Sequence, residues 1–117
     1  MITEDRISFE TAKLLKEKGF DEYCGYYSSD GEYWGYCVCN HKGKDYISAP
    51  TLQMTMKWLR EKGWFIHIDI IREASCWTVD IQDIKNNVGL YIPKGYGFSS
   101  YEEACEAGIK YCLKNLI

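Results

Sequence analysis

The fold of this chain is decided by residues 48–71, SAPTLQMTMKWLREKGWFIHIDII, which encode a helix, a stop and a strand in succession. Pro50 suits the first turn of a helix, because its missing N–H would have no partner there. Apolar side chains then recur at helical spacing, and Gly63 supplies the left-handed residue that ends the helix. From Trp64 to Ile71 the period changes to two, which predicts a strand with one apolar face.

Part of this stretch has a counterpart earlier in the chain. Residues 57–64, KWLREKGW, align with residues 13–20, KLLKEKGF, at an offset of 44 positions. A true repeat would give two αββ units. The alternative is a chance likeness, because the ends of amphipathic helices often resemble one another.

Two further helices flank the predicted strands. Ser8 is a predicted N-cap for a helix over 9–18. Ser99 and Ser100 each have a glutamate three positions further on, which is the capping-box pattern, and they precede a predicted helix over 101–116.

Two hairpins are expected between these helices. In the first hairpin Asp30 and Gly31 would take the positive-φ positions of a tight turn, and in the second the turn falls at 72–75. The sequence therefore predicts one α+β domain, residues 1–117. Its antiparallel sheet of four or five strands would carry helices on one face, in the order αββαββα.

The composition disfavours several classes of partner. The formal net charge is −3 and the sequence pI is near 5.4, so no long-range attraction to nucleic acid or to an anionic membrane is expected. The first residues lack an apolar signal region, and no apolar run approaches the roughly 20 residues of a membrane helix. We therefore expect a cytoplasmic protein whose six cysteines are reduced thiols.

Aromatic residues make up 15% of the chain and are concentrated in the first hairpin. A strand pair cannot bury both faces unless it is sandwiched, so some rings should be exposed, and exposed tyrosine and tryptophan are typical of protein interfaces. The alternative is that helices cover one face while hydroxyls reach water at the rim of the other. The predicted interaction residues are Tyr26, Tyr27, Tyr33, Trp34 and Tyr36, and the predicted partner is another protein or a second copy of the chain.

A glycine-rich segment, Lys94-Gly-Tyr-Gly-Phe-Ser-Ser-Tyr101, resembles the ribonucleoprotein octamer of the RNA-recognition motif, whose aromatic residues stack on bases. The resemblance implies single-stranded nucleic-acid binding through Lys94, Tyr96 and Phe98. The sequence departs from the family at Ser99, where the family has an aliphatic residue. Two alternatives are a turn leading into a capped helix, and an anion held by Lys94 and the free amides of that helix.

One short motif contains metal-binding residue types. Cys37-Val-Cys-Asn-His41 offers two thiolates and an imidazole, with Cys24 or Cys76 as a possible fourth zinc ligand. Zinc ligand pairs usually lie about two to four residues apart on a turn, whereas alternate strand positions place Cys37 and Cys39 on one face. The spacing therefore favours half-buried strand thiols, and no metal site is predicted.

Catalytic residues do not stand out in the sequence. His67 is predicted on a strand face beside Asp69, and His41 in a turn, yet no serine or cysteine is in a nucleophile setting and no carboxylate pair is marked by its neighbours. We therefore predict no enzyme activity and no cofactor. The predicted function is non-catalytic protein interaction or self-association, and the alternative is nucleic-acid binding through residues 94–101.

Three segments together carry a resemblance to known sequences. They are the helix that opens Ala49-Pro-Thr and continues Lys57-Trp-Leu-Arg-Glu-Lys, the strand 64–71, and the ending Ser100-Tyr-Glu-Glu-Ala-Cys-Glu-Ala-Gly-Ile. They resemble a group of small uncharacterised proteins from Bacteroides-type gut bacteria and their phages or mobile elements. The resemblance implies an α+β fold in a bacterial or phage cytoplasm. Because that group has no assigned activity, it implies no functional residues.

Overall fold

The computed structural model describes residues 2–90 and 92–117, in which helices alternate with groups of strands. In chain order the elements are α1 (Phe9–Glu17), β1 (Cys24–Tyr27), β2 (Tyr33–Val38), β3 (Ile47–Ser48), α2 (Leu52–Glu61), β4 (Trp64–Ile71), β5 (Cys76–Asp83), β6 (Val88–Leu90) and α3 (Tyr101–Tyr111). A 3₁₀ turn at Asn40–Lys42 lies between β2 and β3, and a π-helical turn at Cys112–Leu116 follows α3. The α+β class is confirmed, and the order is αβββαβββα.

The strands form two separate antiparallel sheets, so the prediction of one sheet of four or five strands was wrong. The first sheet has the order β2-β1-β3 and the second β4-β5-β6. β3 has two residues and β6 has three, which is too few to show a period in the sequence. β3 pairs with β1 and β6 pairs with β5. Each hairpin is therefore extended by a short strand that follows it in the sequence, and within the part of the chain that the structure describes the two hairpins do not pair with each other.

The two helices of the sequence repeat end in the same way. Gly19 follows α1 with a φ of +94° and Gly63 follows α2 with a φ of +100°, a conformation that glycine adopts without a side-chain clash. A hydroxyl caps the N-terminus of both helices, from Ser8 in α1 and Thr51 in α2. The likeness ends at the sheets, whose strand orders differ. The unit that recurs is a helix followed by three strands, and not the predicted αββ.

The loop between β1 and β2 is longer than the predicted two-residue turn. The Ser28 amide donates to the Glu32 carbonyl at 2.8 Å, and the Gly31 amide donates to the Ser28 carbonyl at 2.9 Å. Gly31 has a φ of +90°, whereas Asp30 does not adopt a positive φ. The Asp30 carboxylate instead accepts the Glu32 amide, which stabilises the wider loop.

A hydrophobic core joins both halves of the chain, with buried residues from every helix and from both sheets. α1 packs on the face of the first sheet that carries Tyr27 and Ile47. α3 packs on Ile66 of the second sheet, whose opposite face carries the exposed His67 and Asp69. Helices therefore line one face of each sheet. Among the described residues, no helix combines the length and the apolar character needed to cross a membrane.

Candidate functional site

The five aromatic residues predicted to form an interaction surface lie on two faces of the first sheet. Tyr27 and Tyr33 are cross-strand partners, and their ring centroids lie 5.9 Å apart on the face toward α1. The Tyr27 hydroxyl donates to the Ile7 carbonyl at 2.8 Å, and burial raises the pKa of this tyrosine. The Arg6 guanidinium lies 4.1 Å from the centroid of the Tyr33 ring. The Tyr27 ring therefore packs within the chain, whereas Tyr33 is 37% exposed.

The opposite, outward face of this sheet carries adjoining rings. Tyr26 pairs with Trp34 across the strands, and the Tyr26 and Tyr46 rings meet edge to face with centroids 4.9 Å apart. Trp34 is 40% exposed, Tyr36 two positions further along β2 is 72% exposed, and Tyr23 just before β1 is 70% exposed. We call these five residues, Tyr23, Tyr26, Trp34, Tyr36 and Tyr46, the hairpin surface.

A groove of about 310 Å³ extends along the hairpin surface. Its lining is mostly apolar and consists of Tyr23, Cys37, Val38, Cys39, Lys42 and Tyr46. The register of the hairpin is irregular beside this groove, because Gly25 of β1 lies opposite residues 35–37 of β2. Such an irregularity bends the bulged strand. The bent segment of β2 includes Tyr36, one of the most exposed rings of the hairpin surface.

Three side chains with metal-binding atoms meet at the end of this sheet. A carboxylate oxygen of Asp21, the sulfur of Cys39 and a ring nitrogen of His41 all lie within 4.8 Å of one another. The Asp21 carboxylate accepts the His41 amide at 2.8 Å, which lowers the pKa of the carboxyl, and it also contacts His41 Nδ1 at 2.9 and 3.1 Å. Cys37, the first thiol of the sequence motif, is exposed and lies outside this group.

The side chain of Asn40 holds this region together. It is buried, and its Nδ2 donates to the Phe20 carbonyl at 2.6 Å while its Oδ1 accepts the Ser48 amide at 2.8 Å. One amide group therefore ties the turn after β2 to the residue before Asp21 and to β3. The sequence analysis missed Asp21, which lies 20 residues from His41 and carries no local signal.

The glycine-rich segment, residues 94–101, pairs with β5 at Phe98, and its last aromatic residue, Tyr101, lies in α3. Lys94 lies in an exposed loop, and Tyr96 is 62% exposed. Phe98 is half-buried and exchanges backbone hydrogen bonds of 2.8 and 3.1 Å with Trp77. Tyr101 is the first residue of α3, as the capped-helix alternative predicts. Of the residues predicted for nucleic-acid binding, Lys94 and Tyr96 are therefore accessible and Phe98 is partly covered.

A carboxylate occupies the start of α3. The Ser100 hydroxyl accepts the Glu103 amide at 3.1 Å, and the Glu103 carboxylate accepts the Ser99 amide at 3.0 Å and the Ser99 hydroxyl at 2.7 Å. The capping prediction is confirmed for Ser100. Of the amides at the start of this helix, that of Glu103 therefore already has a partner, and the Glu103 carboxylate places a negative charge beside the helix start.

A second groove, of about 440 Å³, lies beside α3 and was not predicted from the sequence. It is lined by Asp5, Arg6, Leu52, Phe98, Glu102, Glu103, Glu106, Ala107 and Lys110. The Glu106 carboxylate accepts the Ser8 amide and hydroxyl and the Thr11 hydroxyl, so it is engaged in packing α3 against α1. Four acidic side chains and two basic ones line this groove together with Phe98, and this excess of negative charge disfavours a phosphate backbone there.

No protein-family model, curated protein or solved structure matches the chain. The fold and the hairpin surface define an α+β protein with exposed aromatic rings on one sheet. The resemblance to the gut-bacterial and phage group stays a prediction.

Proposed function

We propose that this chain is a non-catalytic protein-interaction module that associates with a second copy of itself through the hairpin surface. The observation that carries the proposal is that Trp34 is the cross-strand partner of Tyr26, whose ring meets that of Tyr46 edge to face. Tyrosine and tryptophan dominate protein interfaces because they supply a large contact area with few rotatable bonds. A set of adjoining rings can therefore act as one contact surface.

Exposed rings gain free energy when a partner covers them. Trp34 is 40% exposed and Tyr36 is 72% exposed. Complete burial of a large apolar side chain is worth about 1.5–3 kcal/mol relative to leaving it in water. Covering the exposed parts of several such rings supplies a driving force for association.

The charge distribution supports a second copy as the partner. The hairpin surface consists of neutral side chains, and Lys42 is the charged residue in the lining of its groove. The formal net charge of −3 adds only weak long-range repulsion between two copies. A two-fold symmetric contact would place the same neutral rings on both sides of the interface.

Packing between rings is a better account of the contact than addition of strands. β2 is an edge strand of its sheet, and an edge strand can pair with a strand of another chain. The irregular register at residues 35–37 interrupts the regular row of backbone groups along β2. The side chains of this region, and not its backbone, therefore provide the contact.

Light scattering after size-exclusion chromatography, over a wide range of protein concentration, tests the proposal. The wild-type mass should rise with concentration from 13.6 kDa, the mass of one chain, toward twice that value. A variant with Trp34→Ala and Tyr36→Ala should associate at least about tenfold more weakly, because the interface residues that cost about 2 kcal/mol or more on truncation are enriched in tryptophan and tyrosine.

Phe65→Ala provides the matched control. Phe65 is 37% exposed, close to the value for Trp34, but lies on the second sheet, so its removal should leave association unchanged. A wild-type chain that stays monomeric at every concentration would refute the proposal. Equal weakening in the Phe65→Ala variant would refute the assignment to the hairpin surface.

Oligonucleotide binding distinguishes self-association from the alternative function, nucleic-acid binding through residues 94–101. Binding to a single-stranded oligonucleotide at low salt, weakened by added salt and by Tyr96→Ala, would favour residues 94–101 as the functional segment. Loss of self-association in the Trp34→Ala, Tyr36→Ala variant, with self-association unchanged in Tyr96→Ala, would favour the hairpin surface.

A further inference from the structure

We infer that Asp21, Cys39 and His41 form a binding site for a divalent transition-metal ion, with zinc(II) as the best match. The inference does not depend on self-association, because the three donor atoms belong to one chain. The sequence motif suggested Cys37 as a ligand, whereas the fold places Asp21 beside Cys39 and His41.

The set of donor atoms selects the class of metal. One thiolate, one imidazole and one carboxylate are ligands that zinc accepts together, whereas magnesium and calcium prefer oxygen alone. Bonds of about 2.0–2.3 Å in a tetrahedral site put neighbouring ligand atoms about 3.3–3.7 Å apart. The Asp21 to His41 contacts of 2.9 and 3.1 Å are near this separation, and all three donor atoms lie within 4.8 Å. A bound ion would draw the three donor atoms from these separations to tetrahedral ones by rotation of their side chains.

The backbone around the site is already fixed by hydrogen bonds. Asn40 connects the turn to the Phe20 carbonyl, and the His41 amide donates to the Asp21 carboxylate. The Lys42 amide donates to the Cys39 carbonyl at 3.1 Å, which forms the 3₁₀ turn between the two ligands. Cys39 and His41 are therefore held by a turn, so the objection that Cys37 and Cys39 lie on a strand and not on a turn does not apply to this pair.

The site is open to an ion from solvent. The side chains of His41 and Asp21 are 59% and 44% exposed, whereas Cys39 is half-buried. Three protein ligands leave a fourth tetrahedral position for water, as in zinc sites that bind exchangeable ligands. Cys37 lines the same groove as Cys39.

A simple ion pair is the competing account of these contacts. An exposed pair such as Asp21 and His41 contributes little to stability and needs no thiol beside it. The metal site differs from the ion pair in requiring Cys39, so a signal from sulfur distinguishes the two accounts.

Titration of the reduced, metal-free chain with cobalt(II) supplies that signal. The expected result is a thiolate-to-cobalt charge-transfer band with the intense visible bands of tetrahedral cobalt, which saturate at one ion per chain and disappear when zinc(II) is added. The absence of a charge-transfer band would overturn the inference.

Variants assign the ligands. Cys39→Ser should abolish the charge-transfer band, and Asp21→Asn and His41→Gln should each weaken zinc binding at least about 100-fold in competition with a chromophoric chelator. Cys76→Ser removes a half-buried thiol from the second sheet and should leave the affinity unchanged. Because Asp21 and His41 are exposed, their variants keep the test open if Cys39→Ser impairs folding.

Two further results would overturn the inference. One is a charge-transfer band that survives in correctly folded Cys39→Ser, with folding checked by circular dichroism. The other is an equal loss of affinity in Cys76→Ser. The Trp34→Ala, Tyr36→Ala variant should bind zinc as the wild type does, which separates this site from the proposed interface.

Discussion

Gly108 in α3 lies directly against Ile66 in β4. A Cβ added at Gly108 would come within 2.7 Å of Ile66 Cγ2 and within 2.9 Å of Val79 Cγ2, both closer than carbon atoms can approach. Glycine in the interior of a helix costs about 1 kcal/mol relative to alanine. Close packing of α3 on the second sheet therefore compensates for the lower helix propensity of glycine.

Gly108→Ala should lower the free energy of unfolding by about 1–3 kcal/mol, the usual cost of overpacking a core. Helix propensity alone would raise it by about 1 kcal/mol, so the sign of the change separates the two effects. Urea denaturation followed by circular dichroism measures the difference. Gly89→Ala is the control, because a Cβ there would meet nothing within 4 Å. A stabilised Gly108→Ala variant would mean that α3 can move away from the sheet.

The fold was most predictable where the local signal was strong. The strand Trp64–Ile71 has the predicted bounds, because alternation over eight residues leaves little ambiguity, and the helix before it ends at Gly63 as predicted. The two-residue β3 has no period of its own and exists because β1 offers it a pairing edge. The division into two sheets therefore could not be predicted from periodicity.

The candidate sites depended on contacts that the sequence does not encode locally. Tyr26 and Tyr27 are adjacent and both aromatic, so alternation could not show which of them faces outward. Tyr46 joins the hairpin surface because β3 pairs with β1, and Asp21 reaches His41 because Asn40 joins distant segments. The residue types indicated candidate regions, but only the fold shows which side chains meet.

Asn40→Ala should lower the free energy of unfolding by about 2–4 kcal/mol. The substitution leaves the Phe20 carbonyl and the Ser48 amide without their partner, and a buried unsatisfied group costs about 1–3 kcal/mol. Chemical denaturation measures the effect. Asn115→Ala is the control, since Asn115 is exposed and donates only to the Tyr111 carbonyl of its own helical segment, so its removal should change stability by less than about 0.5 kcal/mol. Similar losses in both variants would contradict the conclusion that the two buried hydrogen bonds of Asn40 stabilise this region.

The stability of the α3 N-terminus should depend on pH through Glu103. Hydrogen bonds from the Ser99 hydroxyl and amide lower the pKa of this carboxyl below its ordinary value of 4.5. Folding therefore favours the ionised form, so the contribution is fully present above pH 4.5 and is lost as the pH falls through the lowered pKa of the folded state.

An NMR titration of the Glu103 carboxyl carbon measures this pKa directly. Its midpoint should lie below 4.5 in the wild type and move part of the way back in Ser99→Ala, which removes the hydroxyl but keeps the backbone amide. An unchanged midpoint in Ser99→Ala would show that the Ser99 hydroxyl has no influence on this carboxyl.

The six thiols should react with iodoacetamide in an order set by their burial. Cys112 is fully buried, and burial raises its pKa to about 12, so its thiolate is scarce near pH 8. Burial also raises the pKa of Cys105, whereas Cys37 is exposed. Peptide mass mapping of the metal-free chain should therefore find Cys37 alkylated first and Cys112 last.

Urea that unfolds the chain should remove this order, because all six cysteines then meet solvent. Cys112 begins the π-helical turn that follows α3, so its labelling in the native chain requires that this turn open. If Cys112 reacted as fast as Cys37 without urea, the last helical turn would open independently of the core. If its labelling rate instead followed the global unfolding equilibrium across urea concentrations, the turn would belong to the same cooperative unit as α3.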